Sequence, residues 1–291
     1  MLDIYFYKRY HISMSLPVYR KEHIPMTFET LGDPKNTPVM LIHGMLCTSD
    51  ECIPFGRYLS QRYYVIMPTL DGHGSDGTDL VSAEQETEKI SAYLKANGID
   101  RLALLQGSSM GAEIALAVKA ELDKNGIAVD SCFFDGGPFF RFVPPFRAFM
   151  YRVFSGLVKV FDTDDPSSAS GNMKKHPMFR FIAKGKAEQY EQIIAAMTKE
   201  RRSFSDKTIH GMVDICYNCT LPDLPEETQR TFTFFFAKTE PARKSMKRLM
   251  KTYPKARYRT IDGYSHCGFQ MTHPREYASM LEQTIISPES R

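Results

Sequence analysis

The chain has 291 residues and a mass of 33.3 kDa, with 43% hydrophobic and 24% charged residues, enough to bury a real core without disulfide or metal staples. Its 37 basic residues against 34 acidic ones leave a formal charge of +3, too mild for a nucleic-acid surface, and no apolar run approaches the ~18 residues of a spanning helix. Six cysteines are too sparse at this length for a disulfide scaffold and read as reduced thiols.

The opening residues Met1 to Tyr10 place Asp3 where a signal peptide would be positive and contain no apolar core, so the cytosol is the expected compartment. Pro38 to Ile42 is a short continuous apolar run, as a strand buried on both faces requires. Tyr63 to Met67, Leu102 to Leu105, Cys132 to Phe134 and Thr231 to Phe236 read the same way. A helix is predicted after Ser82, which forms a capping box with Gln85, carries Ala83, Ile90, Tyr93 and Leu94 on one face, and stops at Asn97-Gly98. A second helix runs from about Ser109 to Asn125, ended by Gly126. From Pro138 to Glu227 the rhythm lapses into helical patterns near residues 146–161, 187–201 and 206–217 with no strong strand, and Asp162 to Asn172 reads as polar turn material. Beyond Thr231 it resumes with a helix near Ala242 to Lys251, a strand near Ala256 to Ile261 and a last helix from Pro274 to about Ile286. The alternation predicts an α/β fold with a mostly parallel sheet flanked by helices. Residues 1–137 and 231–291 form its core domain, and residues 138–230 a helical cap inserted in it.

Gly107-Ser108-Ser109-Met110-Gly111 lies directly after one predicted strand and directly before a helix. That context suits a nucleophile elbow, a sharp turn that exposes the Ser109 hydroxyl and needs glycine on both sides for strand and helix to approach closely. Upstream, His43-Gly44-Met45 closes one strand and Asp71-Gly-His-Gly-Ser75 follows the next. These three motifs, in this order and on these elements, resemble the α/β-hydrolase family over residues 23–137 and 231–286.

The resemblance implies a nucleophile, acid and histidine in that chain order, and an oxyanion hole made of the backbone N–H groups of Met45 and Met110. It implies Glu240, just beyond the strand Thr231 to Phe236, as the acid and His266, 26 residues later and after the final strand, as the base. Many relatives carry Gly and Asp where this chain has Ala237 and Glu240. Asp135, at the end of an earlier strand, stays open as the alternative acid, although capping the Gly136-Gly137 turn would account for it.

Other candidates weigh less. His273, beside Pro274, reads as an exposed cap residue, His43 and His73 as loop residues, and Asp71 as the holder of its own turn. Cys216-Tyr-Asn-Cys219 has redox or metal spacing but no second half, so neither a metal nor a cofactor is expected. Arg243, Lys244, Lys247, Arg248 and Lys251 read as the solvated face of an amphipathic helix. The aromatic run from Phe139 to Phe161 either packs the cap or lines an apolar pocket over Ser109, with Arg141 and Arg147 as the cations that could reach inward. The expected partner is a small-molecule acyl substrate of small to medium, apolar character, with no nucleic acid and no stable membrane association; oligomeric state is not legible. A serine hydrolase of carboxylic esters leads. Thioesterase, lactonase, peptidase and carbon–carbon bond hydrolase are the alternatives on this fold, and a weakly catalytic ligand-binding protein is the alternative outside enzymes.

Overall fold

The computed structural model describes residues 26–75, 77–199 and 202–285. The export reading of Met1 to Tyr10 lies outside the described residues, and the last helix, Pro274–Glu282, ends short of the predicted Ile286, with Gln283 as its C-cap. Among the described residues nine strands run in chain order: β1 (Thr27–Leu31), β2 (Pro38–Ile42), β3 (Tyr64–Thr69), β4 (Arg101–Leu102), β5 (Leu104–Ser108), β6 (Ala128–Val129), β7 (Cys132–Asp135), β8 (Phe232–Ala237) and β9 (Arg257–Ile261). Seven of them form one sheet in the order β1-β3-β2-β5-β7-β8-β9, while β4 and β6 pair separately. Only β1 is antiparallel to its neighbour in the large sheet; the other pairings are parallel.

Alternate residues of each central strand feed opposite cores, as the two-residue period of a strand dictates. Phe134, Phe232, Phe234 and Phe236 pack on one face, and Phe133, Phe235 and Tyr277 on the other. The chain leaves β2 toward β3 on one side and β5 lies on the other side of β2, so the order switches direction between β2 and β5. A crevice for ligands forms at the carboxyl ends of strands flanking such a switch. His43-Gly44-Met45 and Ser109 leave those two strands side by side.

Between β7 and β8 the described residues add helices and no strand to the sheet. Two of these helices, Pro144–Val158 and Asp206–Tyr217, pack against each other, and the second also meets the helix Met110–Lys124 of the core. Three expectations are corrected here. Asp162 to Asn172 is not turn throughout: Asp165 caps a helix over Pro166–Lys175, its carboxylate accepting from the Ser167 N–H, with Ala169 and Met173 buried. The pattern near 187–201 is a 3-10 turn over Ala187–Tyr190 followed by a helix over Glu191–Met197, Arg201 lying outside the described residues. The helix near Ala242 to Lys251 begins as a 3-10 turn over Pro241–Ser245 before Met246–Thr252. Among the described residues no helix is long and apolar enough to cross a membrane.

Candidate active site

Ser109 sits between β5 and the helix Met110–Lys124 with φ 52° and ψ −121°, a region that costs a non-glycine residue on the order of 1–3 kcal/mol. Its neighbours over-determine that conformation. The Ser109 N–H donates to the carbonyl of Asp135 at 2.7 Å, fastening the turn to the end of β7. A Cβ on Gly107 would lie 2.2 Å from the Gly111 carbonyl oxygen, and one on Gly111 would lie 2.4 Å from that of His43, so the tight turn admits glycine alone at both positions.

Two further side chains converge on Ser109 from the ends of other strands. His266 Nε2 is 2.9 Å from Ser109 Oγ, and His266 Nδ1 is 2.5 Å from Glu240 Oε2. A carboxylate can only accept, so Nδ1 carries the proton and Nε2 is left to accept from the serine hydroxyl. Glu240 is 3% exposed, and its second oxygen accepts from the Ala237 N–H at 2.6 Å, which folds the longer glutamate side chain back over the end of β8. On the histidine, burial disfavours the imidazolium, but the hydrogen bond and charge of Glu240, with Asp135 and Glu51 behind them, outweigh it and raise the pKa above its ordinary value.

Asp135 does not reach His266 Nδ1. It is buried beneath the site and hydrogen-bonds Tyr277, and burial followed by the charge of Glu240 pushes its carboxyl up to about 8. A group protonated near neutrality is a poor partner for an imidazolium.

The loop after β2 is held at several points. Gly44 N–H donates to Glu51 Oε2 at 2.6 Å, while the Gly44 carbonyl accepts from His43 Nδ1 at 2.8 Å and from the Cys47 N–H at 3.3 Å. In a trans peptide the N–H points opposite its carbonyl, so these donors turn the Met45 N–H the other way. Met110 opens its helix, where an N–H has no intrahelical acceptor. His43 Nε2 accepts from the Leu70 N–H and is buried with a lowered pKa, which fixes a neutral ring in a structural place.

The other candidates disperse. His273 is exposed against Tyr264 and Thr272. The Asp71 carboxylate turns to Lys89 rather than to its own turn, which Thr78 holds through Gly72 N–H. Both Cys216 and Cys219 thiols face the buried carboxylate of Glu113, and burial pushes both thiols up, so they act as weak donors in the packing. Among the described residues no group of three or more metal-binding side chains is placed to hold an ion. Arg248 is half-buried, not a freely solvated cation: it donates to the carbonyls of Phe139 and Cys219, clamping together two points of the segment between β7 and β8. Of the aromatic run, Phe139 packs in the core against Phe134 and Phe234. Phe140, Phe142, Phe146 and Phe154 gather on Tyr217, and Phe149 is 55% exposed. Arg147 pairs with Asp214 and Arg141 is exposed.

Sequence reading missed how the segment between β7 and β8 meets the site. Tyr190 donates to the His266 carbonyl at 2.6 Å, Gln189 accepts from the Ser265 N–H, and Arg202 donates to the carbonyls of Leu46 and His73. It also missed Gln106 and Ser108, two polar residues on one face of a buried strand, a spacing that signals buried partners.

The model of the alpha/beta hydrolase family matches residues 39–280. No curated protein matches in sequence. Among solved structures, an alpha/beta hydrolase family protein from Desulfitobacterium hafniense is 15% identical, with TM-score 0.70, covering 89% of this chain and 100% of its own. A thermophilic esterase from Thermogutta terrifontis is 15% identical (TM-score 0.65; 90% of this chain, 94% of its own). The enol-lactonase from Burkholderia xenovorans LB400 is 12% identical (TM-score 0.65; 89% of this chain, 95% of its own). At these identities the likeness is one of fold.

Proposed function

Because the chain belongs to the alpha/beta hydrolase family, we propose that it is a serine hydrolase cleaving a carboxylic ester or related acyl bond through an acyl-enzyme on Ser109. The observation that carries this reading is the run of contacts from Ser109 Oγ to His266 Nε2 and from His266 Nδ1 to Glu240, built on a serine held at positive φ. His266 takes the hydroxyl proton as Oγ attacks the carbonyl carbon, and Glu240 stabilises the imidazolium. The oxyanion is met by the Met45 and Met110 N–H groups, each worth roughly 3 kcal/mol in comparable sites. The leaving alkoxide takes the proton from Nε2; water then repeats the sequence and releases the acid.

An uncharged acyl group of small to medium size belongs to this reading. Its support is that Arg141 and Arg147 lie on the cap surface or in a pair with Asp214, while the cap is tied onto the His266 and Leu46 loops. The esterase and the enol-lactonase among the structural neighbours support ester and lactone carbonyls. A cytosolic setting is also proposed, on the strength of six unpaired cysteines.

With p-nitrophenyl esters, a burst of about one p-nitrophenol per enzyme should precede a slower steady state. Acetyl and butyryl esters should outcompete succinyl esters; no burst, or the reverse preference, contradicts the reading. Activity needs neutral His266, whose folded pKa is raised, so on acidification kcat/KM should already be falling above pH 6.5. A profile flat from pH 5 to 9 would identify a different base.

A further inference from the structure

A buried carboxylate that touches none of the reacting groups lies behind the oxyanion loop. Glu51 is 6% exposed, and the hydrogen bonds to its carboxylate are received from outside. Oε2 accepts from the Gly44 N–H at 2.6 Å and Oε1 from Gln270 Nε2 at 2.9 Å. Gln270 Oε1 in turn accepts from Ser108 Oγ at 2.9 Å, and Ser108 Oγ accepts from Gln106 Nε2 at 2.9 Å. The chain of donors has one direction and ends on Glu51. It ties the helix after the His266 loop, the residue before Ser109 and the loop after β2 into a single unit.

We propose that Glu51 is the positioning residue of the oxyanion hole: by holding the Gly44 N–H and terminating the Gln270–Ser108–Gln106 chain, it fixes the aim of the Met45 N–H beside Ser109. Gly44 is the hinge of that aim. A Cβ there would meet Glu51 Oε2 and the Ser109 Cβ, both at 3.3 Å, so the peptide is wedged between the carboxylate and the nucleophile. Without Glu51 the Gly44 N–H is a buried donor with no acceptor, and the loop must shift to satisfy it. A shift near 1 Å at a reacting centre costs on the order of a hundredfold in rate. Substrate binding in the ground state does not depend on that aim, so the loss falls on kcat.

The inference rests on Ser109 acylation, and its test separates the two. Glu51→Ala, Glu51→Gln and wild type are compared by kcat and KM per site titrated in the acyl burst, by thermal unfolding, and by affinity for a trifluoromethyl ketone whose adduct carries an oxyanion. Glu51→Ala should lose about a hundredfold in kcat per titrated site with little change in KM, and a similar factor in ketone affinity. Glu51→Gln should recover most of both. Its amide oxygen still accepts from Gly44, and the chain can reverse by turning over the Gln270 and Gln106 amides, which brings Gln106 Oε1 to Ser108 Oγ in place of Nε2. If Glu51→Ala loses only titratable sites or thermal stability while each remaining site turns over normally, Glu51 is a packing residue and the proposal is wrong. Glu51→Gln as damaged as Glu51→Ala overturns it as well. A wild type with no acyl burst would instead bring down the hydrolase reading, and this inference with it.

Discussion

Replacing Ser109 with alanine should lower ester turnover by roughly five to six powers of ten, the scale on which loss of a nucleophile is felt when the remaining groups cannot act without it. The fold should survive. Alanine keeps the Cβ that the φ 52° conformation already accommodates, the Ser109 N–H to Asp135 bond involves backbone alone, and the hydroxyl is the only group removed. Thermal unfolding should therefore move by a few degrees at most, while the p-nitrophenol burst vanishes. A variant that retains a burst of one equivalent would place the nucleophile elsewhere, with Ser108 the first suspect by position. Geometry speaks against Ser108, whose hydroxyl is fully buried between Gln106 and Gln270.

Glu240→Gln should cost about three to four powers of ten in kcat, and Asp135→Asn less than about tenfold. The amide at position 240 would present either an oxygen that still accepts or an NH2 that forces the wrong histidine tautomer, and in both cases the charge facing the imidazolium is gone. Removing that charge also makes the imidazolium harder to form, so the acid limb of the residual activity should move to lower pH. Asparagine at 135 is a near match for a carboxyl that burial and Glu240 already keep protonated near neutrality, and it preserves a partner for Tyr277. A crippled Asp135→Asn beside an active Glu240→Gln would move the acid to the end of β7.

The central strands were legible because they are buried on both faces. Pro38 to Ile42 has the predicted bounds, Cys132 to Phe134 is one residue short at its end, and Thr231 to Phe236 is shifted by one residue at both ends. β1 escaped because Thr27–Leu31 is an edge strand of half-buried, mixed residues with no continuous apolar signal. The helix Pro166–Lys175 escaped because its Ser, Gly and Asn residues have weak helix propensity, although Asp165 followed by proline was a start signal. Ser109 was visible from its strand–turn–helix context, Glu240 and His266 from the chain order that the family resemblance implies, and the structure brings the three within hydrogen-bonding distance. What joins them to the rest was not visible. Glu51 and Gln270 lie 219 residues apart in sequence, Arg202 meets Leu46 across 156, and no local pattern pairs buried polar groups over such distances. Likewise the aromatic run predicted packing but not direction, since rings in the core, rings among the helices between β7 and β8, and surface rings share one composition.

The acyl-enzyme on Ser109 is tested most directly by labelling the native protein with a fluorophosphonate, digesting with trypsin and sequencing the adduct by mass spectrometry. A single adduct is expected in the peptide from Leu102 to Lys119, with fragment ions placing it on Ser109 and none formed in Ser109→Ala. An adduct on Ser108 or on another peptide, or labelling that persists in Ser109→Ala, would contradict it.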